Sequence, residues 1–84
     1  MKKIEITGKH HIDKIGVLSY HKKYQSYPNF VLSEKANIDE AASRLFAGLR
    51  WFETQDIDLV ITENVPDDGL GRAINDRLNR ASIN

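Results

Sequence analysis

Cysteine is absent from this chain of 84 residues, which excludes a disulfide framework and thiolate metal sites and makes a reducing cytoplasm the expected compartment. An excess of charge is absent too: 12 lysines and arginines face 12 aspartates and glutamates. That balance argues against a basic nucleic-acid module held mainly by phosphate neutralisation, so any RNA contact has to be local. No run approaches the roughly 20 apolar residues of a membrane span. Met1-Lys2-Lys3 leads into alternating Ile4-Glu5-Ile6 and not into a signal-peptide apolar core, so a soluble protein without a membrane partner is expected. There is no repeat, low-complexity tract or linker, and residues 1–84 read as a single domain. A domain this small removes only about 60% of its unfolded-chain surface from water and often leans on a partner.

What is present is a sequence of short elements. Lys3 to Thr7 alternates, predicting a strand with one wet side that Gly8 ends. A polar turn, Lys9 to Lys14, leads to the apolar run Ile15 to Ser19, of the kind buried on both faces of a sheet. His21 to Asn29 is polar and aromatic, with Pro28 near its end, and reads as a loop before a third strand at Phe30-Val31-Leu32. Asn37 followed by Glu40 is a capping-box variant that starts a helix at Ile38. Its inner stripe is Ile38, Ala41, Ala42, Leu45, Leu49 and Phe52, with Arg44, Gly48, Trp51 and Gln55 elsewhere. Ile57 to Thr62 is a fourth strand, parallel to the third through a right-handed crossover. A second helix runs from about Leu70 to Ser82, with Leu70, Ala73, Ile74, Leu78 and Ala81 inward. The order β-β-β-α-β-α predicts a small α/β domain with an open, mostly parallel sheet. Two helices cannot cover both faces of four such strands, so apolar surface is left for another domain or subunit.

The turn Val65-Pro66-Asp67-Asp68-Gly69-Leu70-Gly71 enters the second helix just beyond a strand's carboxyl end, where open α/β sheets bind ligands. Free amides at a helix start hold anions, and glycines permit close approach. Against this, Ile74 stands where a dinucleotide fingerprint needs a small residue, and Asp67 and Asp68 repel an anion while capping the helix themselves. The plainer reading is therefore a glycine-permitted, aspartate-capped helix start. Arg77 falls within roughly 20° of Leu70 on the apolar stripe. It either snorkels to the rim, pairs with a carboxylate such as Glu63, or faces a partner, and a structural role is favoured. Arg72 pairs with Asp76 on the exposed face in the simplest account. Arg80, with Asn75 and Asn79, is a candidate RNA-phosphate contact against the alternative of ordinary solvated surface. Trp51, roughly 140° from the first helix's stripe, is either a contact for a partner or base, or packs on the tyrosine-rich loop. Adjacent His10 and His11, and His21, lack metal-ligand spacing, and Ser19, Ser33 and Ser43 lack a base partner. No phosphate-binding P-loop, nucleophile elbow or acid pair is recognisable, so no catalytic residue and no metal site are assigned.

Ala42 to Arg50, Asp58 to Ile61, and Gly69-Leu70-Gly71-Arg72-Ala73-Ile74-Asn75-Asp76-Arg77-Leu78-Asn79-Arg80-Ala81 resemble the carboxy-terminal domain of two-domain L-threonylcarbamoyladenylate synthases. The closing run is close to that family's GLG-x-AI-x-(D/N)-RL-x-RA pattern, and the resemblance extends from Ile15 onward. It implies a Rossmann-like fold and a place in tRNA threonylcarbamoyladenosine modification. In the family, the full-length enzyme uses ATP, L-threonine and bicarbonate with magnesium, and its catalytic residues belong to a YrdC-like domain. That domain's lysine-arginine and serine-x-asparagine signatures, and the proline- and tyrosine-containing linker, are not found in this sequence.

The resemblance thus implies an accessory domain without a cofactor of its own, either a piece of a longer chain or separately encoded, whose partner is a YrdC-like catalytic domain in cis or in trans. Two other classes stay open. One is a stand-alone nucleotide or tRNA binder using Gly69, Gly71, Arg72 and Arg77. The other is a homodimerisation module using Trp51 or an uncovered sheet face.

Overall fold

A computed structural model describes residues 2–6 and 14–82, without the side chain of Lys2. The expected Gly8 stop, the Lys9 to Asp13 part of the first turn, and His10 and His11 lie outside the described residues, as does Thr7. The elements are β1 (Lys2–Glu5), β2 (Ile15–Ser19), β3 (Asn29–Val31), α1 (Ile38–Thr54), β4 (Leu59–Thr62) and α2 (Leu70–Ala81). They form an open mixed sheet of four strands in the order β1-β4-β2-β3. β2 pairs in parallel with both β3 and β4, and β1 pairs antiparallel with β4. β3 and β4 therefore run the same way, as expected, but with β2 between them. The carboxyl ends of β2, β3 and β4 share one edge of the sheet with the amino end of β1.

Both helices pack on one face. Registered partners Ile4, Val60 and Gly16 point to the same side, as do Leu18, Phe30 and Thr62. That side meets Ala41, Leu45 and Phe52 of α1 and Ile74 and Leu78 of α2 in a single apolar cluster. Full burial of a side chain such as Phe52 stabilises by roughly 1.5–3 kcal/mol. A Cβ on Gly16 would stand 2.6 Å from the Phe52 ring, and one on Gly48 would stand 2.8 Å from Phe30. These two glycines set how closely α1 approaches the sheet. The other face bears Ile15, Val17, Val31, Leu59 and Ile61, none of which joins the helix-covered cluster. No helix covers this face, yet Val17 and Leu59 are buried on it, at 5% and 9% exposed, so the uncovered apolar surface expected there is not found at these positions.

Three local expectations change. Asn37 caps α1 by accepting the Glu40 amide at 3.0 Å, but its own N–H donates to the Ser33 hydroxyl at 2.9 Å, which takes the place expected of the Glu40 side chain. Gly48 is buried, not off the inner face, because a residue without a side chain permits contact that hydropathy does not register. In α2 the buried positions are Gly71, Ile74 and Leu78, while Leu70, Ala73 and Ala81 are exposed. The helix is rotated relative to the expected stripe because Gly71 packs against the preceding turn.

Candidate functional site

The expected site is the segment from Glu63 through α2. Gly69 is the N-cap residue of α2 with φ 57°, a left-handed conformation that glycine adopts at no Cβ cost. No side chain caps this helix, so the expected aspartate capping is not found. The backbone takes its place: Asp68 N–H donates to Pro66 O, Gly71 N–H to Asp68 O, and Arg72 N–H to Gly69 O, at 3.0–3.1 Å. With two amides of the first turn engaged in this way, they do not point at an anion. A Cβ at Gly71 would stand 1.8 Å from the Pro66 carbonyl oxygen, so this glycine serves contact between backbone and backbone.

Asn75 is half-buried and bonds both backbone polar groups of Val65, accepting from its N–H at 3.0 Å and donating to its carbonyl at 2.8 Å. It ties the β4–α2 connection to the second turn of the helix. Beside it, Asn64, Asp67, Arg72, Asp76 and Asn79 line an open polar groove of about 440 Å³. Arg80 pairs with Asp76 at 3.1 Å, in place of the expected Arg72–Asp76 pair. The groove thus gathers Arg72 and Asn75, whereas Arg77 and Trp51 lie apart from it.

Arg77 is exposed, and its guanidinium sits 4.3 Å from the centre of the Phe46 ring, a cation–π contact bridging the two helices. Its pairing with Glu63 is not found. Glu63 instead accepts the Tyr20 amide and the Tyr24 hydroxyl, each at 2.9 Å. The bond to the Glu63 carboxylate, then burial and that carboxylate's charge, raise the Tyr24 phenol above its ordinary 10.0. Sequence reasoning missed this clamp, although a lone glutamate directly after a buried parallel strand is a signal for one. Trp51 is half-buried, with ring centres 6.0 Å from Phe30 and 5.0 Å from Phe52, and packs on the core. It rests on those rings and not on the tyrosine-rich loop. Arg44 covers Phe30 at 4.7 Å. The hydroxyls of Ser19 and Ser43 donate to backbone carbonyls, the first in the β2–β3 loop and the second within α1, and that of Ser33 accepts the Asn37 amide at the α1 cap.

Between the helices, Phe46 and Leu70, 56% and 47% exposed, flank a shallow apolar cleft of about 200 Å³ floored by Leu45 and Ile74, with Arg77 at its rim. Exposed large apolar side chains gathered in this way mark an interaction surface more often than isolated ones do. No helix among the described residues is long and apolar enough to cross a membrane.

A family model described as "Threonylcarbamoyl-AMP synthase, C-terminal domain" matches residues 2–82. The chain is also similar to the threonylcarbamoyl-AMP synthase of Bacillus subtilis (strain 168), with 35% identity over 72 residues. The alignment covers 82% of this chain and 21% of that relative's length. No solved structure matches.

Proposed function

The chain belongs to the family of threonylcarbamoyl-AMP synthase C-terminal domains, and on that premise we propose that it is the accessory, non-catalytic domain of such a synthase in tRNA threonylcarbamoyladenosine formation. The observation that carries this reading is coverage: the match runs through residues 2–82 here, yet 21% of the relative's length corresponds to this chain. The greater part of the relative is a separate stretch of polypeptide, and in this reading it holds the YrdC-like catalytic domain with its ATP and magnesium.

The cleft between Phe46 and Leu70 supplies a docking surface for that domain. Its exposed apolar side chains lie at the contact of α1 with α2, and Arg77 on its rim offers a cation to a carboxylate or aromatic ring of the partner. The chain alone, given ATP, L-threonine, bicarbonate and magnesium, is expected to release no pyrophosphate, and turnover by the purified chain contradicts the reading. Phe46→Ser is expected to weaken association with the catalytic domain at least tenfold, about 1.4 kcal/mol, measured by titration calorimetry. Unchanged affinity removes this cleft as the docking surface.

A further inference from the structure

The connection between β2 and β3 carries a second surface, apart from the cleft between the helices. No acidic residue lies between Asp13 and Glu34, and this stretch holds all three tyrosines of the chain together with His21, Lys22 and Lys23. The loop is braced from several sides. Ser19 Oγ donates to the Lys22 carbonyl at 2.6 Å, and Val17 N–H donates to the Pro28 carbonyl at 2.9 Å. Tyr20 Oη donates to the Ala36 carbonyl at 2.6 Å, and Tyr20 N–H and Tyr24 Oη engage the two oxygens of Glu63. Two tyrosines are thus spent on anchoring the loop. What it presents outward is His21, held edge-on to Tyr20 at 5.4 Å, with Lys22, Lys23 and Tyr27, all exposed.

The loop lies at the sheet edge formed by the carboxyl ends of β2, β3 and β4. Exposed Lys3, opposite Ile61 near the amino end of β1, and exposed Lys35, just after β3, belong to the same edge. Among the described residues, the acidic groups of this edge are Glu34 beside Lys35, Asp39 and Glu40 in the first turn of α1, Glu63 bound into the clamp, and Asp67 and Asp68 before α2. The β2–β3 loop itself is without them.

We propose that this loop is a contact for single-stranded RNA, with Lys22 and Lys23 on consecutive phosphates and the Tyr27 ring, 50% exposed, stacking on an unpaired base. Lysines interleaved with an exposed aromatic are what a flexible polyanion with open bases requires, since every base has a face for stacking. An acidic peptide would engage the lysines alone, and a duplex would keep its bases from Tyr27. A braced loop loses little freedom on binding, which offsets the small number of charges that a chain of net charge +0 can bring. This contact is separate from the helix cleft and stands or falls independently of docking there.

The test is fluorescence anisotropy of a labelled oligouridylate titrated with the 84-residue chain over a series of salt concentrations. Joint K22A and K23A substitution is expected to make the slope of log K against log salt shallower by about 1.4, two phosphate contacts to a single strand. Tyr27→Leu is expected to weaken binding roughly tenfold while Tyr27→Phe preserves it. Arg50→Ala, on the exposed face of α1, is expected to leave binding unchanged. No binding at low salt, loop variants that bind like the parent, or a polyglutamate peptide bound equally well would each overturn the proposal.

Discussion

At the residue scale, the two glycines at the α2 start have different physical reasons, and they separate experimentally. Alanine at Gly71 would drive a Cβ to within 1.8 Å of the Pro66 carbonyl, so the turn or the helix must move. Gly69 faces open space, and alanine there meets only the strained backbone at φ 57° and ψ −125°, a cost of about 1–3 kcal/mol. Gly71→Ala is therefore expected to lower unfolding stability by more than Gly69→Ala, by about 3 kcal/mol or more, as read from urea midpoints. Tyr24 gives a second prediction. Its phenol is raised in the fold, so the neutral form is favoured there, and its contribution is fully present below the ordinary 10.0 and lost as pH rises through the higher folded value. Stability is expected to decline above about pH 10 more steeply in the parent than in Tyr24→Phe, followed by denaturation at a series of pH values. Identical profiles would show that the Glu63 clamp does not couple to folding.

At the scale of elements, one side chain ties the middle of the β4–α2 connection to the helix that follows it. Asn75 makes both hydrogen bonds to Val65, and Val65 is itself in the core cluster. Asn75→Ala is expected to cost about 1–3 kcal/mol by leaving the Val65 peptide without its partner, and to speed amide exchange at Val65 ahead of that in β2. Equal protection at Val65 and in β2 would mean that the connection is held by other contacts. Much of this element plan is legible in the sequence: β2 and the start of α1 fall where the apolar run and the Asn37 cap place them, because strand burial and capping are local properties. The rotation of α2 is not legible. Leu70 and Ala73 read as core by hydropathy, yet the inner face is fixed by Gly71 meeting the Pro66 carbonyl, a contact between backbones that carries no hydrophobic signal. The same blindness hides Gly48, and the rotation places Arg77 over Phe46 instead of beside Glu63. The candidate site was legible in its residues and not in their roles. Gly69 and Gly71 shape the turn as the plainer reading held, though no aspartate caps it, while Asn75, a candidate RNA contact from the sequence, is engaged with the backbone of its own turn.

At the scale of the whole molecule, helices cover one face of a four-stranded sheet, and the helix layer itself leaves Phe46 and Leu70 exposed. A domain of 84 residues built in this way has little stability to spare, and a partner that binds only the folded form raises it by mass action. The chain's family and the small share of its relative that it spans make a synthase catalytic domain that partner in our account. The most direct test adds the 84-residue chain to a purified YrdC-like catalytic domain and follows pyrophosphate release from ATP with L-threonine, bicarbonate and magnesium. A saturable change in the catalytic domain's rate that Phe46→Ser diminishes is expected; a rate that stays the same at every concentration of the chain, with no complex formed, would contradict a docking accessory domain.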